Sequence, residues 1–231
     1  QGWILTIRGS GRVGFQYDGN VIDPPSGISI TDNNWHHITA TLQNGTYLNL
    51  YSDGIIYNTS TITQPTNNNS LFTVGNVEGE LNTPSAFFNG TIDEVAIYNR
   101  SLSASEVYEH FNRLKGQFNS QTLDTSTANS TFNNISWTEP YPYGEELPNS
   151  RFDEKAGANG RVSGANMSGN VLLMHFNNDT IDYSSSSNNG AQVSAGVTCN
   201  STLTTGIFLG SCEFDGVNGN ITINDADSLS F

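Results

Sequence analysis

Alternation of apolar and polar residues with period two runs through most of this chain, and it narrows the fold more than any other feature. It is the signature of strands with one face buried and one face wet. The run YLNLYSDGIIYN, residues 47–58, is the clearest case: Leu48 and Leu50 alternate with Tyr47, Asn49 and Tyr51. Asp53-Gly54 then supplies residues that tolerate the positive φ of a tight hairpin turn. Further strands are expected at 3–7, 13–17, 27–30, 36–42, 71–74 and 92–98, and again within 170–179, 191–197, 206–216 and 219–225. Turn residues recur at the spacing of an antiparallel β-sandwich.

One helix interrupts the pattern. Ser103 and Glu106 have the spacing of a capping box. Val107, Phe111 and Leu114 follow at i, i+4 and i+7, a single apolar stripe that should lie on the sheet of the preceding strand. In that strand Val95 and Ile97 are expected to share one face with Asp93, and Ile92, Ala96 and Tyr98 the other. Both faces are apolar, so the strand should be covered on both sides. A carboxylate at Asp93 then needs a partner, hydrogen bonds or a metal. Glu94 has a nearby candidate partner in Arg100, whereas Asp93 has no local cation.

From about Gly116 to Gly169 the composition shifts to Ser, Thr, Asn, Pro and Gly. Residues 118–123 and 132–137 could form a strand pair, and the remainder reads as an irregular connector. Three segments result: 1–115, the linker 116–169, and 170–231.

Lys and Arg total 8 against 22 Asp and Glu, a formal net charge of -14. Phosphate binding needs a basic footprint, so nucleic acid and anionic membrane are poor partners. Charged residues make up 13% of the chain, against roughly 25% in an ordinary soluble protein, and the polarity sits in Asn, Ser and Thr instead. Such a surface suits an extracellular protein. No window reaches the ~20 apolar residues of a membrane helix. No signal peptide is recognisable, so a secreted protein would carry its signal outside this chain. Sequons at Asn44, Asn58, Asn89, Asn99, Asn134 and Asn200 are compatible with glycosylation. Cys199 and Cys212 lack metal or thioredoxin-type spacing. If the strands around them pair, a disulfide is expected, which implies an oxidising compartment; two buried free thiols are the alternative.

Four stretches carry a family resemblance. NWHHITATLQNGTYLNLYSDG (34–54) resembles the central strands of laminin G-like domains in the concanavalin A-like lectin and glucanase superfamily. FNGTIDEVAIYNRSLSASEV (88–107) resembles that family's closing strand and following helix. VLLMHFNNDTIDYSSSSNNG (171–190) and CEFDGVNGNITINDADSLSF (212–231) resemble its opening strands. The resemblance implies an all-β, antiparallel concanavalin A-like jelly-roll sandwich with one short helix after the closing strand. Closing motifs precede opening ones, as in a fragment of a tandem array. Residues 1–115 would be the later part of one sandwich and 170–231 the start of a second, which could pack back on the first in permuted order. The family further implies a structural calcium beside the closing strand. Asp93 matches that position, and Asp179 and Asp182 are the nearest carboxylates in the opening segment.

Catalysis finds little support in the sequence. No H-E-x-x-H or comparable metal spacing involves His36, His37, His110 or His175, and all four are expected to be structural or solvated, His110 in solvent and His175 packed. A retaining glycosidase needs two convergent carboxyls. Of the acidic pairs, only Glu78 and Glu80 alternate correctly, and they lie in a loop-like context. Trp35 is expected in the core, and Trp137 against its Pro and Tyr neighbours. The expected function is a non-catalytic extracellular binding or adhesion module. Carbohydrate is the leading partner, and neighbouring repeats of the same polypeptide are others. A structural spacer in a surface array is the alternative, and a glycoside hydrolase a remote one.

Overall fold

The computed structural model describes residues 3–9, 11–23, 29–65, 71–78, 84–113, 145–149, 165–200, 206–224 and 226–229. Strands β1 (Trp3–Ile7), β2 (Val13–Tyr17) and β3 (Asn20–Ile22) form one antiparallel sheet. Strands β4 (Ile38–Gln43), β5 (Tyr47–Ser52) and β6 (Ile55–Thr61) form a second. The β5–β6 turn is the expected one, with Asp53 at φ 52° and Gly54 at φ 74°. The inward residues of these sheets meet face to face. Phe15, Tyr17 and Leu5 from the first pack on Leu48, Leu50 and Ala40 from the second, with Ile62 at the edge. Period-two alternation therefore does here what it predicts.

The rest of the sandwich is built between chain regions far apart in sequence. These are β7 (Phe72–Val74), β8 (Asn76–Glu78), β9 (Pro84–Phe87), β10 (Asn89–Ile92) and β11 (Val95–Tyr98), then β12 (Asn170–Met174), β13 (Gly190–Val193), β14 (Val197–Asn200), β15 (Ser211–Asp215) and β16 (Ile221–Ile223). β8 pairs with β9. β10 pairs with β15, β11 with β12, and β7 with β16, all antiparallel. β14 and β13 extend the sheets of β15 and β16. One core joins them: Val74, Leu172, Met174, Phe176, Cys212, Phe214, Ile221 and Ile223 are all buried together. Cys199 lies opposite Cys212 in the β14–β15 register, and the two form a disulfide.

Helix α1 (Ala104–Asn112) begins at Ser103, whose hydroxyl accepts from the Glu106 amide while the Glu106 carboxylate takes the Ser103 N–H. Val107 is fully buried against Tyr51, Leu102 and Tyr98, which sets the helix over β5 and the end of β11. Arg100 binds Glu106 through two hydrogen bonds, 2.7 and 3.0 Å. With the cap it holds the Glu106 carboxyl down at about 2.

Several expectations are corrected. The strand expected over 92–98 is divided at Asp93–Glu94, where Glu94 adopts φ 54°. Ile92 pairs with Cys212 and Val95 with Met174, so the chain changes partner strand at this break. The break also shifts the alternation, so Ile92, Val95 and Ile97 all face one core while Ala96 and Tyr98 face another. His110, expected in solvent, is 8% exposed, because it sits at i+3 of the Val107 stripe. Trp35, expected in the core, is 39% exposed: strand β4 starts only at Ile38. Strand β15 begins at Ser211, later than expected, after bends at 206–209. Residues 29–30 are not strand, and residues 27–28 lie outside the described residues, as do 118–123 and 132–137. Of the connector, 145–149 and 165–169 contain no strand or helix, yet Leu147, Ala165 and Met167 are buried against Leu173, Ala96 and Tyr98. These two stretches belong to the folded body.

Candidate functional site: a buried acid–imidazole cluster

The β10–β11 break places two consecutive acids inside the protein. Asp93 points to the 206–210 loop, where its Oδ2 accepts from the amides of Ile207 (2.9 Å) and Phe208 (3.4 Å). Gly206 makes this approach possible, since a Cβ there would lie 1.7 Å from the Gly210 carbonyl oxygen. The other oxygen, Oδ1, is buried without a hydrogen-bond partner. Burial, followed by the adjacent Glu94 charge, raises the Asp93 carboxyl to about 8, against the pull of the two amides.

Glu94 turns the other way, towards His175 at the end of β12. Its Oε1 meets His175 Nδ1, and its Oε2 accepts from the Leu147 amide at 3.2 Å. The second ring nitrogen, Nε2, meets the amide oxygen of Asn149. The imidazolium form can donate from both nitrogens to these oxygens. Burial favours the neutral ring, but the Glu94 bond and the charges of Glu94, Glu146 and Asp93 outweigh it and raise the His175 pKa. The Glu94 carboxyl is also raised, by burial, with His175 opposing. Exposure of the His175 side chain is 2% and of Glu94 12%.

Glu146 completes the group. One ligand-capable atom each from Glu94, Glu146 and His175 lie within 4.8 Å of one another. Asn177 donates to Glu146 Oε1, and its own Oδ1 is buried without a partner. The Glu146 carbonyl accepts from Arg113, at the end of α1, and the Glu145 amide donates to the Arg113 carbonyl at 3.0 Å. The site thus joins the β10–β11 break, the end of β12, the 145–149 segment and the end of α1.

Glu94 was expected to pair with Arg100, but Arg100 is engaged by Glu106 and by the Ser168 carbonyl at 2.7 Å. The three aspartates expected to share a cation are not gathered together: among the described residues the metal-competent cluster is Glu94, Glu146 and His175. Asp182 is buried and accepts from the amides of Leu173, Ser184 and Asn188 and from the Ser184 hydroxyl, 2.7–2.9 Å. Asp179 accepts from the Ile181 amide and the Tyr183 hydroxyl. Both are engaged by donors of their own loop and, for Asp182, of strand β12. Asp93 does fit a hard cation. Its Oδ1 and the Asn177 Oδ1 are both buried oxygens without a hydrogen-bond partner, and oxygen donors of this kind are what calcium takes. Sequence reasoning missed Glu146, His175 and Asn177, since nothing local to any of them announces a partner so far along the chain.

A separate cavity of about 410 Å³ lies between the turn preceding β13 and the end of β16, lined by Ser187, Asn188, Asn189, Gly190, Ile223, Asn224 and Ala226. Glu80 and Trp137 lie outside the described residues, and of Glu78 only the backbone is described.

Antiparallel sheets packed face to face, with one short helix after the closing strand, define an all-β sandwich protein. Residues 1–108 match the family model of laminin G type described as the concanavalin A-like lectin/glucanases superfamily, whose fold is a jelly roll. Comparison with curated proteins and with solved structures finds no match.

Proposed function

We propose that the chain is a non-catalytic extracellular binding or adhesion module whose ligand is carbohydrate. The observation that carries this reading is the cavity at 187–190 and 223–226, to which Ser187, Asn188, Asn189 and Asn224 bring a hydroxyl and amides beside Ile223 and Ala226, and which is large enough for a sugar unit. Sugars are held by amide contacts, and Asn224 supplies that chemistry, beside the NH2 of Asn189, whose Oδ1 is taken by the Asp182 amide. The Cys199–Cys212 disulfide supports an oxidising compartment. Among the described residues no helix is long and apolar enough to cross a membrane.

Calcium belongs to the same proposal, with Asp93, Asn177 and Glu146 as its holders and a structural role. It would bring a compensating charge to buried acids and tie four chain segments together. Glu94 and Glu146 are neighbouring carboxyls, a pairing that glycosidases also use. Their engagement by His175, Leu147 and Asn177 supports a structural role over a catalytic one. The strand pairing between 71–98 and 170–223 fits a fragment of a tandem array closing in permuted order.

A glycan-array screen of the full chain and its Asn224→Ala variant tests the reading. Binding to one glycan class that the variant loses is expected. No binding above background would overturn it in favour of a spacer, and so would equal binding by the variant. Turnover of a bound glycan that Glu94→Gln abolishes would overturn the non-catalytic part.

A further inference from the structure

Helix α1 rests on the β4–β6 sheet through a contact that contains two imidazoles. His37 stands just before β4, and His110 occupies the last turn of α1. His110 is buried and His37 half-buried. His37 Nδ1 and His110 Nε2 are each buried with no hydrogen-bond partner. Aromatic rings wall them in: Phe111 lies 6.3 Å from His37, and Tyr98 lies 5.7 Å from His110.

The surrounding charges favour neutral rings. Facing His110 are His37 itself, Arg113 on the next turn and Arg100 from the end of β11, all opposing a positive charge. Glu106, one turn back, favours it, but its carboxylate is held by Arg100 and Ser103. Facing His37 is Asp53 of the β5–β6 turn, whose Oδ1 takes the His37 amide at 3.0 Å and whose Oδ2 takes the His36 ring at 2.9 Å. Adjacent His36 is the opposite case. It lies between Asp32 and Asp53, and these bonds outweigh burial and raise its pKa.

We propose that His37 and His110 form an acid-operated latch: neutral, they let α1 seat on the sheet, and charged, they repel each other and release it. Release would carry Arg113 away from the Glu146 carbonyl and the Glu145 amide, loosening the 145–149 segment as well. Burial pushes both pKa values down to about 4, below the 6.5 of a free imidazole. Between those values the released helix binds protons more readily than the seated one. The latch is therefore fully closed above pH 6.5 and opens progressively as pH falls towards 4.

The test is ring NMR titration of all four histidines in the full chain with a chelator present, combined with amide hydrogen exchange at about pH 7 and about pH 4.5. His37 and His110 should titrate near 4 and His36 above 6.5. Exchange in 104–112, corrected for intrinsic rate and taken relative to β12, should rise at least roughly tenfold at the lower pH. The His37→Leu/His110→Leu double variant should lose that rise. Titration of the two rings near 6.5 with α1 still protected overturns the proposal. So does a rise that persists in the double variant. Should that variant fail to fold, the ring titration of the unaltered chain decides alone.

Discussion

Replacing Asp182 separates a structural carboxylate from a metal ligand by magnitude alone. Its two oxygens hold three amides and one hydroxyl. Two of those amides, on Leu173 and Asn188, belong to buried residues and have no route to water once the carboxylate is gone. An orphaned buried donor costs about 1–3 kcal/mol, so Asp182→Ala should destabilise by about 4 kcal/mol. At about 2–4 °C per kcal/mol for a chain of this size, the melting point should fall by roughly 8–16 °C. Asp182→Asn keeps the oxygen that serves Leu173 and Ser184 but turns an NH2 towards the Asn188 amide, so about half the loss is expected. Thermal melts by circular dichroism, with calcium and with a chelator, read both quantities. Asn should fall between wild type and Ala, with the same ordering in both solutions. A loss under about 1 kcal/mol for Ala, or one that vanishes when calcium is removed, would refute the reasoning.

Two further outcomes follow from the packing. Reducing the Cys199–Cys212 disulfide should cost about 3 kcal/mol in the chain-entropy model, seen as a lower denaturation midpoint in reductant than without it. Leu147→Ala should cost about 2–3 kcal/mol in urea unfolding, because Leu147 is buried against Leu173 and Met167; a change near zero would remove 145–149 from the folded body.

What could be read before the structure was local. The β5–β6 hairpin, the Ser103–Glu106 cap and the Cys199–Cys212 pair each rest on residues within about one supersecondary unit of each other. The break at Asp93–Glu94 was hidden because apolar residues flank it on both sides, so the alternation looks continuous through it. His110 was legible in principle, since it falls at i+3 on the Val107 stripe. The Glu94–His175 pairing was not: 81 positions separate the two, and only the β11–β12 pairing brings them together. Glu146 sits in a stretch with the composition of a connector, and within its own run EELPN, 145–149, Leu147 is the single apolar residue.

The shared core of β7, β10, β11, β12, β15 and β16 has a consequence for biosynthesis. On the ribosome, β11 is finished about 70 residues before its partner β12 exists. At about 5–20 residues per second, that leaves an unmatched apolar edge open for several seconds. The early strands must stay soluble through that wait, so a nascent-chain chaperone is the natural companion of this topology, and the late-arriving strands act as the final closure of a molecule already half built.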